Sequence, residues 1–108
     1  MKLVYAIVNS DDTRNVANAV TKAGFSATKL ASAGGFLSAG NTTFLICTED
    51  ERVDELIQVI AQKSRRRKQF IPSVTTYGMG TTCASVPVEV TVGGATIFVT
   101  DVERFEKV

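Results

Sequence analysis

The sequence has no histidine and no tryptophan, and its 108 residues include only two cysteines. The lack of histidine excludes Ser–His and Cys–His nucleophilic mechanisms, histidine-ligated zinc and imidazole acid–base catalysis. No other pairing of a nucleophile with a base is evident. We therefore expect a protein without enzymatic activity, and the sequence predicts no cofactor and no metal site.

The sequence also has little net charge and no long apolar run. A net charge of +1 gives no reason to expect a nucleic-acid polymer or an anionic membrane as a partner. No apolar run approaches the roughly 20 residues of a membrane-spanning helix, and the first residues do not resemble a signal peptide.

Cys47 and Cys83 form no CxxC motif, so we expect a cytoplasmic protein in which both are small hydrophobic residues or inert thiols.

The rest of the composition is typical of a globular protein. The chain is 44% hydrophobic and 21% charged, which indicates a folded chain rather than a disordered one. A length of 108 residues suits one domain. Residues 1–108 are therefore predicted to form a single domain.

Short apolar runs in the first half of the chain predict β-strands. They are rich in β-branched and aromatic residues, and polar or glycine-containing segments lie between them. The predicted strands are 3–8, 25–32 and 41–47. A glycine-rich loop, 32–41, separates the second strand from the third.

Two amphipathic helices are predicted, one after the first strand and one after the third. The first runs from Asp12 to Ala23 and ends at Gly24. The second begins with a capping box in which Thr48 precedes Glu51 by three residues. Its apolar stripe is formed by Val53, Leu56, Ile57 and Ile60. The basic run that follows, Arg65–Lys68, is interpreted either as a solvated helix end or as a patch for phosphate or nucleic acid.

The last quarter of the chain is predicted to contain a β-hairpin. Val86–Val92 alternates valine with other residues, Gly93 and Gly94 follow, and 95–100 is again rich in apolar residues. A two-residue glycine link between such runs is typical of a hairpin. The predicted pairing places Phe98 away from the core, among polar side chains. Phe98 is interpreted either as a residue that stacks on a ligand or as a contact with a neighbouring subunit or loop.

The order of the predicted elements is β-α-β-loop-β-α-long loop-β-hairpin-β, with residues 69–85 as the long loop and 101–108 as a polar tail or short helix. This order predicts an α+β, ferredoxin-like split βαβ fold, in which two helices cover one face of an antiparallel sheet. The other face is left for water, a ligand or a partner. RNA-recognition motifs share this order, but their aromatic-rich signature is missing.

The loop 32–41 contains two large apolar residues, Phe36 and Leu37. Exposing them would forgo about 1.5–3 kcal/mol of burial each, so we expect a ligand, another subunit or the loop itself to cover them. One interpretation is a flexible connection between strands. The other is a site for a planar, phosphate-bearing ligand, with glycine amides near phosphate, Asn41 on a base edge and Phe36 on the base.

Several stretches, taken together, carry a likeness to a known family. They are 25–31 (FSATKLA), 34–37 (GGFL), 40–45 (GNTTFL), 52–55 (RVDE) and 87–99 with its PVEV and GGATIFV segments. In these stretches, and nearly end to end, the sequence resembles the PII-like cyclic di-AMP receptors. The resemblance implies a homotrimer with ligand sites at the subunit clefts, two loops that signal to an unidentified downstream protein, and no enzymatic activity.

The resemblance also implies which residues bind the ligand. Thr28 and Asn41 match positions that hydrogen-bond cyclic di-AMP, Phe98 matches an aromatic residue of the pocket, and Ala27 lies in the strand of the pocket wall. The loop that covers the ligand corresponds to Gly35, Phe36 and Leu37.

Three positions depart from the family pattern. Ser26 stands where cyclic di-AMP binders usually carry arginine, Ser38 where a basic residue is usual, and Cys47 where glycine allows close approach. Losing one hydrogen bond from a cation, worth roughly 1.5–3 kcal/mol, would weaken binding about tenfold to a hundredfold. Lys29 does not replace the cation, because adjacent strand residues point to opposite faces. The alternative function is therefore a PII-like trimeric interaction protein that binds another nucleotide or has lost cyclic di-AMP binding.

Overall fold

The computed structural model describes residues 1–30, 40–73, 76–77, 81–82 and 86–108, and the side chains of all of these except 71–88. The strands are β1 (Lys2–Asn9), β2 (Ala27–Leu30), β3 (Asn41–Thr48), β4 (Arg67–Ser73), β5 (Thr76–Tyr77), β6 (Thr81–Thr82), β7 (Val86–Val92) and β8 (Ala95–Asp101). The helices are α1 (Thr13–Lys22) and α2 (Val53–Lys63), preceded by 3₁₀ turns at Ser10–Asp12 and Asp50–Arg52.

A four-stranded antiparallel sheet in the order β2-β3-β1-β8 forms the centre of the fold. In β1 and β3, buried residues alternate with half-buried ones, as expected for strands with one face on a core. The pairing of Val4 with both Ile46 and Val99 places these apolar residues on the same face.

Both helices cover that face. Their inward sides bury Val16 and Val20 from α1 and Leu56 and Ile60 from α2. These side chains join the buried residues of β1 and β3, together with Phe25, in one core. The predicted α+β fold, with two helices on one face of an antiparallel sheet, is confirmed.

The predicted hairpin between β7 and β8 is wrong. β7 pairs with β4, where Val92 lies opposite Arg67, whereas β8 pairs with β1, where Phe98 lies opposite Tyr5. Gly93 and Gly94 do have positive φ angles, 86° and 85°. They lead the chain from the β4–β7 ribbon into the central sheet, where the Gly94 N–H donates to the carbonyl oxygen of Ser64.

The prediction of a long loop over residues 69–85 is also wrong in part. This region contains most of β4, and β5 pairs with β6. The partner of β4 is β7, about 20 residues further along the chain, so local periodicity alone did not indicate the pairing. Arg67 and Lys68 of the basic run lie in β4 rather than at a solvated helix end.

The predicted capping box does not form. Thr48 is the last residue of β3, pairs with Lys2 and is 7% exposed. Glu49 is the N-cap of the following 3₁₀ turn, and its side chain makes no capping hydrogen bond. Extension of the sheet to Thr48 therefore takes precedence over helix capping. The predicted end of α1 at Gly24 is confirmed by its φ angle of 91°.

Candidate functional site

The face of the central sheet opposite the helices is made mainly of apolar and hydroxyl side chains. We call this surface the open face. It is formed by Leu3, Tyr5, Ile7, Thr28, Leu30, Thr43, Leu45, Cys47, Thr96, Phe98 and Thr100. Not one of these side chains is charged. Phe98 is 54% exposed and Leu30 is 40% exposed, so this face leaves apolar surface for a ligand or a partner.

Thr28 and Phe98 lie in the same row across the open face. The pairing runs from Thr28 to Leu45, then to Tyr5 and finally to Phe98. Neighbouring strands are ~4.8 Å apart, so the two residues are about 14 Å from each other, at opposite edges of the sheet. The predicted orientation of Phe98 is confirmed, because alternation along β8 fixes its face regardless of the strand with which β8 pairs.

A pocket of about 570 Å³ lies at one end of the open face. It brings together three of the residues predicted from the sequence, Ser26, Thr28 and Cys47. Its other walls are Met1, Leu3, Leu45, Phe105, Glu106 and Lys107. Cys47 is a half-buried free thiol, so it forms part of the pocket wall and is not a fully buried core residue.

The remaining predicted site residues lie elsewhere. Ala27 is in register with Ile46 on the helix-facing side and packs against the core. Asn41 is exposed at the start of β3, about 20 Å along the strand from Cys47. Gly35, Phe36 and Leu37 lie outside the described residues, as do Ser38 and Cys83. Within the described part of one chain, the predicted residues therefore do not converge in one pocket.

Several residues of the pocket were not predicted from the sequence. Leu3 and Leu45 follow from strand alternation once the register is known, since Leu3 pairs with Cys47. We call residues 102–108 the C-terminal tail. No sequence pattern indicated that this tail forms part of the pocket wall. This tail forms no helix; the Val102 N–H donates to the carbonyl oxygen of Met1 at 3.2 Å, beside the pocket.

Most charged groups at the edge of the pocket are paired, whereas Lys107 makes no ion pair among the described residues. The amino group of Met1 lies 2.6 Å from Asp50 Oδ1. This hydrogen bond raises the pKa of the amino group and lowers the pKa of the Asp50 carboxyl. A hydrogen bond to Asp101 likewise raises the pKa of Lys2. In the tail, Arg104 Nη2 lies 2.8 Å from Glu106 Oε1, so the negative charge of Glu106 is compensated beside the pocket.

The part of the chain that the structure describes shows no cluster of metal ligands. In residues 1–30, 40–70 and 89–108, no three histidine, cysteine, aspartate or glutamate side chains cluster in a way that would hold an ion. Among the helices that the structure describes, α1 and α2 included, none is long and apolar enough to cross a membrane. The residues that line the pocket supply hydroxyl groups, apolar surface and the charges of Glu106 and Lys107.

Comparison with known proteins identifies the family of the chain. A family model described as "Cyclic-di-AMP receptor" matches residues 1–108. The structure is also similar to the crystal structure of a functionally unknown protein from Pediococcus pentosaceus ATCC 25745, with 40% sequence identity and a TM-score of 0.74. That match covers 99% of this chain and 96% of the other. The chain belongs to the cyclic-di-AMP receptor family.

Proposed function

We propose that this protein is a PII-like signalling protein that binds cyclic di-AMP on its open face, at the clefts between the subunits of a homotrimer. Residues 1–108 would act as a single domain in the cytoplasm. The output would be a rearrangement of the predicted loop 32–41 and of the segment 64–85, to which a downstream protein would respond, and not a chemical reaction. The match of the whole chain to the receptor family carries this proposal.

The positions of the predicted ligand residues support a site between subunits. Ser26, Thr28 and Cys47 line a pocket near the β2 edge of the sheet, whereas Phe98 lies on β8 at the opposite edge. One copy of the chain thus presents two partial sites about 14 Å apart. A second copy that placed its β8 edge near the β2 edge of the first would complete a cleft with both sets of residues.

The chemistry of these side chains suits a cyclic dinucleotide. The Thr28 hydroxyl can donate a hydrogen bond to a phosphate oxygen or to a base nitrogen. Phe98 presents an exposed ring on which adenine can stack, and base–aromatic stacking is worth about 1–3 kcal/mol per base. The pocket volume of about 570 Å³ is within the usual range of small-molecule sites.

Replacing Phe98 with alanine is expected to weaken cyclic di-AMP binding about fivefold to a hundredfold, because one stacking contact is lost. Phe98 is 54% exposed, so the fold should be retained. Isothermal titration calorimetry would measure the affinity and a thermal melt would report the stability.

The matched control is Phe70→Ala, which removes another exposed phenylalanine, 67% accessible and located on β4. Its affinity should equal that of the unmodified protein. Equal affinity of the Phe98→Ala variant and the unmodified protein would contradict the role of Phe98 in the site.

The three departures Ser26, Ser38 and Cys47 favour a second candidate function, a trimeric interaction protein that binds another nucleotide or none. The uncharged open face is consistent with this candidate, because cyclic di-AMP carries two negative charges. Native mass spectrometry of freshly purified protein would separate the two functions. A bound mass equal to cyclic di-AMP supports the first, and a different nucleotide supports the second.

A further inference from the structure

The C-terminal tail forms one wall of the pocket that holds Ser26, Thr28 and Cys47. Phe105, Glu106 and Lys107 all line it. The tail starts where β8 ends, at Asp101, and the hydrogen bond from Val102 to Met1 holds its first residue beside β1. Phe105 remains 59% exposed, so its ring is available to contact a bound molecule. The tail is therefore part of the pocket, although it belongs to neither the sheet nor the helices.

Positive charge is scarce around this pocket. The open face carries none, and Lys29 faces the helix side, in register with Phe44. The Met1 amino group is held by Asp50, and Arg104 is paired with Glu106. Lys107 makes no ion pair among the described residues, and it is the one lysine or arginine among the residues that line the described pocket.

We propose that Lys107 is the cation that binds a ligand phosphate at this pocket, in place of a basic residue at position 26. This inference rests on the proposed function and assigns to the tail the charge that the open face lacks. A lysine side chain is a compact positive charge on a flexible stem of four methylene groups. It can reach an anion from a tail without the fixed geometry that a strand position imposes.

The neighbouring residues fit this role. Pairing with Arg104 reduces the repulsion that Glu106 would exert on a phosphate. The Ser26 and Thr28 hydroxyls lie in the same pocket and can donate further hydrogen bonds to the same anion. Phe105 adds an apolar surface next to them, suited to the base of a nucleotide.

Lys107→Met tests the proposal, since methionine keeps the length and apolar character of the side chain and removes its charge. Calorimetry with cyclic di-AMP should show an affinity about tenfold lower than that of the unmodified protein. The control is Lys22→Met, which removes one positive charge from the exposed end of α1. Its affinity should be unchanged, and both variants should keep the original melting temperature.

A charge relocation makes the test specific for position. The double variant Ser26→Arg/Lys107→Met should recover the affinity lost in Lys107→Met, because a cation is restored at another residue that lines the same pocket. If the unmodified protein binds cyclic di-AMP and Lys107→Met binds it equally well, the role of Lys107 is overturned and the proposed function stands. If the unmodified protein does not bind, the proposed function fails and the role of Lys107 fails with it.

Discussion

Replacing Gly93 with alanine is expected to lower the free energy of unfolding by about 2–5 kcal/mol, the sum of backbone strain and overpacking. The φ angle of Gly93 is 86°, a conformation that residues with a Cβ rarely adopt. An added Cβ would also lie 2.5 Å from the carbonyl oxygen of Arg65 and 2.7 Å from Nη1 of Arg67. Because the first of these atoms is backbone, the clash cannot be relieved by a rotamer change.

Gly24→Ala is the matched control for this variant. Gly24 has a similar φ angle, 91°, but the nearest atom to an added Cβ is the end of the Arg52 side chain, 3.9 Å away. This variant should show only the strain, about 1–2 kcal/mol. Urea denaturation of both variants would measure the difference. Equal destabilisation by the two substitutions would contradict the prediction that the clash with the Arg65 carbonyl oxygen adds to the loss of stability in Gly93→Ala.

Replacing Arg67 with methionine is expected to lower the free energy of unfolding by about 2–3 kcal/mol, because the carboxylate of Asp12 loses its cation. The side chain of Asp12 is 6% exposed, and its Oδ1 lies 3.0 Å from Arg67 Nη2. Because Arg67 itself is 42% exposed, we expect a smaller loss of unfolding free energy than for a fully buried ion pair. The pair joins the base of β4 to the turn before α1, so the variant should also increase hydrogen exchange in β4.

The neighbouring residue supplies the control for Arg67→Met. Lys68 lies 3.2 Å from Glu89, but the two side chains are 75% and 46% exposed. Lys68→Met should therefore change the stability by less than about 1 kcal/mol. If the two variants had the same free energy of unfolding, the prediction that the buried carboxylate of Asp12 makes its ion pair stronger than the exposed pair of Lys68 would be contradicted.

The parts of the fold that depend on local pattern could be predicted from the sequence. The apolar stripe of α2 places Leu56 and Ile60 inward, and the apolar runs at 3–8 and 41–47 predict the strands that the structure shows as β1 and β3. Gly24 ends α1 as predicted, with a positive φ angle. In each case the neighbouring residues determine the conformation, so the partner in space need not be known.

The errors arise where a distant segment decides between two locally acceptable structures. Gly93 and Gly94 suit a hairpin turn, but β4 is a better partner for β7 than β8 is, since β8 completes the central sheet beside β1. Thr48 suits a helix cap, but its pairing with Lys2 extends β3 to include it. The local sequence pattern does not indicate which strand pairs with β7, or whether Thr48 ends a strand or caps a helix.

The candidate site divides in the same way. The orientation of Phe98 follows from alternation alone, and the resemblance to the receptor family indicated Thr28 and Cys47, which the structure places in one pocket. The tail could not be predicted, because Phe105 and Lys107 have no strand or helix period that would indicate which surface they meet. Their position depends on where β8 ends relative to β1.

Titration of the unmodified protein with cyclic di-AMP by isothermal calorimetry is the most direct test of the proposed function. Cyclic di-GMP and ATP serve as comparison ligands. We expect saturable binding of cyclic di-AMP with one ligand per chain, and weaker or no binding of the other two. Absence of heat with cyclic di-AMP, at protein concentrations well above micromolar, would contradict its role as the ligand of this protein.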